Sequence, residues 1–311
     1  MSEEQTWERQ ALQDLLNESL KDKKNERRWR TFWRIIWIIL VGVIVFNLFN
    51  PFKGKSSVLG KHTAVVNLDG EISASTPANA SSINASLKAA FDNPESVGVI
   101  LKINSPGGSP VQAGIIHDEI LRLRKLHPDK HLYVVVEELC ASGGYYVAVA
   151  AEKIYVDKAS LIGSIGVIME GFGFNSLMEK LGVERRVIAA GENKGMMDPY
   201  TKQNPKHRES LQQMINTIHQ QFIQVVKDGR GERLKNDPDL FTGMVWNGAK
   251  SIEVGLTDEL GSVDYVAREV FKQPDLIDYS ETDNIAERFA KKIGASIGGS
   301  FAQTIGHYSL H

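Results

Sequence analysis

From residue 62 onward, short and wholly apolar runs alternate with longer stretches in which apolar residues recur every three or four positions. The runs at 64–68, 97–103 and 131–136 predict strands, continuous in apolar character as strands buried on both faces must be. Between them the periodicity predicts a helix over 81–91. A second helix follows, with Val111, Ile115, Ile116, Ile120, Leu123 and Leu126 on one stripe. Further on, 145–151 reads as helix, 154–156 and 162–168 as extended, 174–181 as helix and 186–190 as strand. Residues 206–227 form a long helix with Met214, Ile218, Phe222 and Val225 on its buried side. Strands alternating with helices imply an α/β fold with a mainly parallel sheet.

The first 61 residues follow another pattern. Residues 1–30 are polar and end in a basic run that includes Lys21, Lys23, Lys24, Arg27, Arg28 and Arg30. Residues 32–49 are apolar apart from Arg34 and Asn47, approaching the roughly 20 residues that cross a bilayer. Trp29, Trp33 and Trp37 gather near the basic end, as an interfacial belt does. No small-x-small cleavage site follows the apolar run, which argues against a removable signal peptide. The expected organisation is a cytoplasmic segment 1–30, one transmembrane helix as signal anchor 31–50, a linker 51–61, a catalytic-size domain 62–275 and a C-terminal tail 276–311. The positive-inside rule puts the N-terminus in the cytoplasm and residue 51 onward outside.

Composition narrows the chemistry. The 311 residues carry 36 basic against 38 acidic side chains, a net charge of −2 that does not mark a nucleic-acid binder. Cys140 is the only cysteine, so neither an intramolecular disulfide nor a cysteine-based metal cluster can form. No metal and no cofactor is expected.

Three glycine-rich turns remain: Asn104-Ser-Pro-Gly-Gly-Ser109, Cys140-Ala-Ser-Gly-Gly-Tyr-Tyr146 and Gly191-Glu-Asn-Lys-Gly195. Ser142 falls where a strand ends and a helix starts, so free N–H groups and the helix dipole favour negative charge beside it. It can be a nucleophile or simply a helix N-cap, the commonest role of serine there. Gly107 and Gly108 can offer backbone N–H groups at the carboxyl edge of the sheet, and Gly143 another; an oxyanion hole needs two such donors. None of the eight histidines lies in a glycine-rich turn. Lysine replaces histidine as base when desolvation favours the neutral amine. Lys194, beside Met196 and Met197, suits that role, and equally suits a solvated surface loop.

These blocks, with Ile162-Gly-Ser-Ile-Gly-Val167 and Gly255-Leu-Thr-Asp-Glu-Leu-Gly261, resemble in order and spacing the signal peptide peptidase A family of Ser-Lys peptidases. The resemblance covers about residues 62–275 and implies the fold shared by ClpP and the crotonases, with repeated ββα units. It implies Ser142 as nucleophile, Lys194 as general base, Ser164 as the residue orienting that lysine, and Gly107, Gly108 and Gly143 as oxyanion donors. It further implies a short, single-unit form that assembles into homo-oligomers, with serine and lysine in some cases from neighbouring subunits. The expected function is a membrane-anchored serine endopeptidase on the periplasmic side of the inner membrane, acting on cleaved signal peptides or other membrane-associated peptides. The alternative is a non-catalytic membrane scaffold of the same fold.

Overall fold

In a computed structural model of the chain, residues 29–42 and 60–280 are described. They belong to separate units: a helix, α1, over 29–42, and a domain within residues 57–282. The anchor expected at 31–50 is described only as far as residue 42. Among the described residues no helix is long and apolar enough to cross a membrane. Residues 1–28, 43–59 and 281–311, which hold most of the expected cytoplasmic segment, the linker and most of the tail, lie outside the described residues.

The domain is a mixed α/β structure on one eight-stranded sheet. Its strands are β1 (His62–Asp69), β2 (Ser96–Ser105), β3 (Leu132–Ala141), β4 (Lys153–Val156), β5 (Leu161–Gly163), β6 (Val245–Asn247), β7 (Glu259–Leu260) and β8 (Leu276–Asp278). The order is β6-β5-β3-β2-β1-β8, with β4 beside β3 and β7 beside β4. Every pairing is parallel except β5 with β6. Strand β3 splits its partners: residues 133–135 pair with β4, and residues 139–141 with β5. Two strands follow one another directly only at β4–β5; elsewhere helices or loops separate them, so a regular ββα repeat is not seen.

The helices α2 (Ala80–Asp92), α3 (Pro110–Leu126) and α4 (Gly143–Ala148) pack with the sheet around the main core. Local chemistry starts each of the two longer ones. The side chain of Asn79 accepts from Ser82 N–H before α2; that of Ser109 accepts from Gln112 N–H before α3, with Pro110 in the first turn. A smaller cluster joins Val65, Ile100, Val135 and Tyr155, which alternate along β1–β4 with residues of the main core and so face the other side of the sheet, to Val266 and Ala267 of a helical turn before β8. Burial on both faces explains why β1–β3 read as unbroken apolar runs.

Four expectations are corrected. Residues 186–190 form no strand; they are exposed coil, and none of the strands among the described residues pairs with them. On α3 the buried residues are Ala113, Ile116, His117, Ile120 and Leu123, while Val111, Ile115 and Leu126 are exposed. On the long helix α6 (Pro205–Arg230) burial is confined to Phe222, Val226 and Arg230, and Met214 is exposed. Residues just past 275, read as tail, instead join the sheet as β8. The Tyr279 hydroxyl then accepts from Asn93 Nδ2 at 2.5 Å and shares a hydrogen bond with His62 Nε2 at 2.8 Å.

The pattern behind two of these corrections is continuous. From Gly166 to Gln221, through helix α5 (Asn175–Leu181), no residue is buried. The stretch nonetheless exposes Ile168, Phe172, Leu177, Leu181, Val183, Val187, Ile188 and Met197.

Candidate active site

Strand β3 ends at Ala141, and Ser142 makes the turn into α4 with φ 50° and ψ −122°. An L-residue in this region is strained, and such strain persists only where the surroundings enforce it. Here the Ser142 N–H donates to Gly163 O at 2.8 Å, and its carbonyl accepts from Tyr146 N–H at 2.9 Å. The side chain makes no capping hydrogen bond. The N-cap reading therefore fails: the hydroxyl, half-buried, is left free at the sheet edge.

The second glycine turn folds directly against this one. A methyl group added at Gly107, where φ is 96°, would lie 2.6 Å from Gly143 N and 2.8 Å from Ser142 Cβ. One added at Gly143 would lie 3.3 Å from Gly108 N. Only glycine permits that approach. Among the described residues neither Gly108 N–H nor Gly143 N–H has a hydrogen-bond partner. Gly143 is the first residue of α4, where helical N–H groups are left unpaired and the dipole adds positive charge. Gly107 N–H is different: it donates to Ser105 Oγ at 3.1 Å. Of the three glycines expected as oxyanion donors, Gly108 and Gly143 have unengaged N–H groups and Gly107 does not.

Ser164 comes into the same neighbourhood. It follows Gly163, whose carbonyl receives the Ser142 N–H, and it too has positive φ, at 51°, held by its N–H to Met244 O at 2.8 Å. The next carbonyl, Ile165 O, bonds His219 Nε2 of α6 at 3.1 Å. Among the described residues no side-chain hydrogen bond or ion pair joins Lys194 to Ser142 or Ser164. Lys194 lies in an exposed turn of the unburied stretch, and its ammonium group has no hydrogen bond or ion pair among the described residues. No group of metal-ligating side chains occurs among the described residues.

A buried network backs α4. Tyr145 O–H donates to Leu256 O at 2.7 Å. Arg230, 1% exposed, donates to Gly255 O at 2.9 Å and in bidentate fashion to Asp258 at 2.8 and 2.9 Å. Burial alone would raise the Asp258 carboxyl, but the hydrogen bonds and charge of Arg230, the N–H of Ile154 and the charge of Arg233 hold it below its ordinary range. Burial pushes the Tyr145 hydroxyl and the Cys140 thiol up, so both stay protonated and neither serves as nucleophile. Reading the sequence missed Ser105, the Arg230–Asp258 pair and the Met244 carbonyl. Ser105 was visible in the first glycine turn and Asp258 in the block Gly255–Gly261, but nothing local marked Arg230 or the Met244 carbonyl.

Comparison with known proteins bears on this arrangement. Residues 124–276 match the model of peptidase family S49. The chain is 30% identical to the probable protease SohB of Haemophilus influenzae, over 83% of this chain and 71% of that protein. It is 34% identical to a putative signal peptide peptidase SppA of Enterococcus faecium, over 53% of this chain and 47% of that protein. It is also 41% identical to a Brucella abortus protein named as the Na(+)/H(+) antiporter NhaA, over 60% of this chain but only 25% of that protein. The chain thus spans between a quarter and less than half of those last two relatives. The matched region contains the strained serine, the helix behind it and the Arg230–Asp258 pair. This chain belongs to peptidase family S49.

Proposed function

We propose that the chain is a membrane-anchored serine endopeptidase in which Ser142 of one copy is activated by Lys194 of another. The observation that carries the proposal is the strained, uncapped Ser142 beside two unpaired N–H groups. In this reading Ser142 Oγ attacks a peptide carbonyl, and the developing oxyanion accepts from Gly108 and Gly143 N–H. Lys194 takes the hydroxyl proton, passes it to the leaving amine and then activates the water that releases the acyl group.

An amine acts as base near neutral pH only when desolvated. Within one chain Lys194 is exposed, in a stretch without a buried residue that displays an apolar surface monomers rarely leave bare. A second copy covering that surface would bury the lysine and carry it to the neighbour's Ser142, with Ser164 placed to orient it. The finer fold reading, the ClpP/crotonase type, and residence of the domain outside the cytoplasmic membrane belong to the same proposal. The apolar run before the domain supports the anchor. The substrates would be extended apolar peptides such as cleaved signal peptides, which an anchored site meets at the membrane surface.

Two measurements test this. A fluorophosphonate should label Ser142 in the full-length protein and fail on Ser142→Ala; an unlabelled wild type would favour the scaffold. Inactive Ser142→Ala and Lys194→Ala copies, mixed during assembly, should recover up to about a quarter of wild-type activity, because one shared site in four then receives both intact residues. Labelling without recovery in the mixture would place serine and lysine in the same chain.

A further inference from the structure

The geometry points to Ser105 as the residue that aims the oxyanion donor of the first glycine turn. We propose it as a positioning residue for acyl transfer, a role that rests on the peptidase reading above. Ser105 is fully buried at the end of β2. Its hydroxyl donates to Gly70 O at 2.6 Å and accepts from Gly107 N–H at 3.1 Å. One side chain thus closes both the turn after β1 and the turn after β2.

The consequence is directional. With Gly107 N–H engaged by Ser105, the next N–H, that of Gly108, lies beside Gly143 and has no acceptor of its own among the described residues. Two further bonds hold the outer side of the turn: Ile72 N–H donates to Gly107 O at 2.8 Å, and Ser109 N–H to Ile72 O at 2.8 Å. Ser105 also touches the nucleophile helix, since a methyl group at Gly144 would lie 3.1 Å from Ser105 O and 3.3 Å from its Cβ. The serine therefore fixes one donor and abuts the element that supplies the other. Removing its hydroxyl leaves Gly107 N–H without a partner and frees the turn to rotate, which misdirects Gly108 while the nucleophile stays in place.

Ser105→Ala in the full-length protein tests this. Turnover should fall about 10- to 100-fold, less than the roughly 100- to 1,000-fold cost of deleting an oxyanion donor outright, with KM little changed. A tripeptide aldehyde, whose hemiacetal oxygen occupies the oxyanion position, should lose affinity by the same factor, while the matching tripeptide amide binds as before. End-point fluorophosphonate labelling of Ser142 should remain stoichiometric, which a merely structural defect would not allow. If Ser105→Ala does not fold, Ser105→Cys, close in shape but a weak acceptor, carries the same comparison. Unchanged aldehyde affinity in a labelled, folded variant overturns the assignment. An unlabelled wild type overturns the peptidase reading itself and this role with it.

Discussion

Replacing Asp258 by Asn probes the network behind the nucleophile helix. The asparagine keeps the shape and can still accept from Ile154 N–H, which now bonds Asp258 at 2.7 Å, but it leaves the Arg230 guanidinium buried without a countercharge. Removing one partner of a buried ion pair costs about 3–5 kcal/mol. In a domain of this size each kcal/mol moves the melting temperature by about 2–4 °C, so Tm should fall by about 6–20 °C. Arg233→Ala is the comparison: its guanidinium reaches Asp258 at 3.3 Å, is 41% exposed and also donates to the carbonyls of Arg230, Glu152 and Gly229, so its loss should cost about 1–2 kcal/mol, less than the Asp258 change. The pH dependence has a definite sign. Asp258 is held below its ordinary value, so its contribution is present above the unfolded carboxylate range, near pH 4, and is lost as pH falls through the folded value. The gap between wild type and variant, followed by scanning calorimetry, should therefore be constant from about pH 5 to 8 and narrow below about pH 4. A variant melting within 2 °C of wild type at pH 7, or a larger loss from Arg233→Ala, would refute the assignment of Arg230 as the essential partner.

Other outcomes follow from single contacts. Gly107→Ala should leave less than about 1% of turnover, measured with a fluorogenic peptide, since the methyl would strike Gly143 N at 2.6 Å and deform the proposed oxyanion hole. His117 is buried beside Tyr146, and burial lowers its pKa despite the opposing Asp118 and Asp228. Stability should therefore fall as pH drops below the unfolded histidine value near 6.5, and His117→Gln should show a smaller Tm difference between pH 7.5 and 5.5. Tyr279→Phe removes a hydroxyl shared by His62 and Asn93 and should cost about 1–3 kcal/mol in urea unfolding, with catalysis unchanged because the pair lies at the far end of β1.

What could be read from sequence follows physical lines. Strands β1, β2 and β3 were legible because burial on both faces leaves an unbroken apolar run. The starts of α3 and α6 carry N-cap and proline pairs, Ser109-Pro110 and Asn204-Pro205, that the periodicity alone did not use. Residues 186–190 misled for the same reason: an apolar run states that something will cover it, not that the partner lies in the same chain. Met214 fails likewise, because only the last third of α6 touches the core. At the site, the glycine spacing located the turns, but which N–H was already engaged depended on Ser105, an interaction that spacing cannot reveal. The Arg230–Asp258 pair joins residues 28 apart through the fold, and nothing in the sequence marks Arg230 as the partner of the aspartate in the Gly255–Gly261 block.

Because β8 lies parallel to β1 and the His62–Tyr279 bond closes the sheet's outer edge, the domain's entry and exit strands are neighbours. That makes it a natural candidate for re-cutting. A joiner of about four residues, reaching about 13 Å, could link the old ends, while new ends open between Pro128 and Asp129 in the loop before β3. Such a rearranged chain would keep every strand pairing and leave both glycine turns uncut. It would let the peptidase core be displayed within another protein, free of whatever normally flanks it.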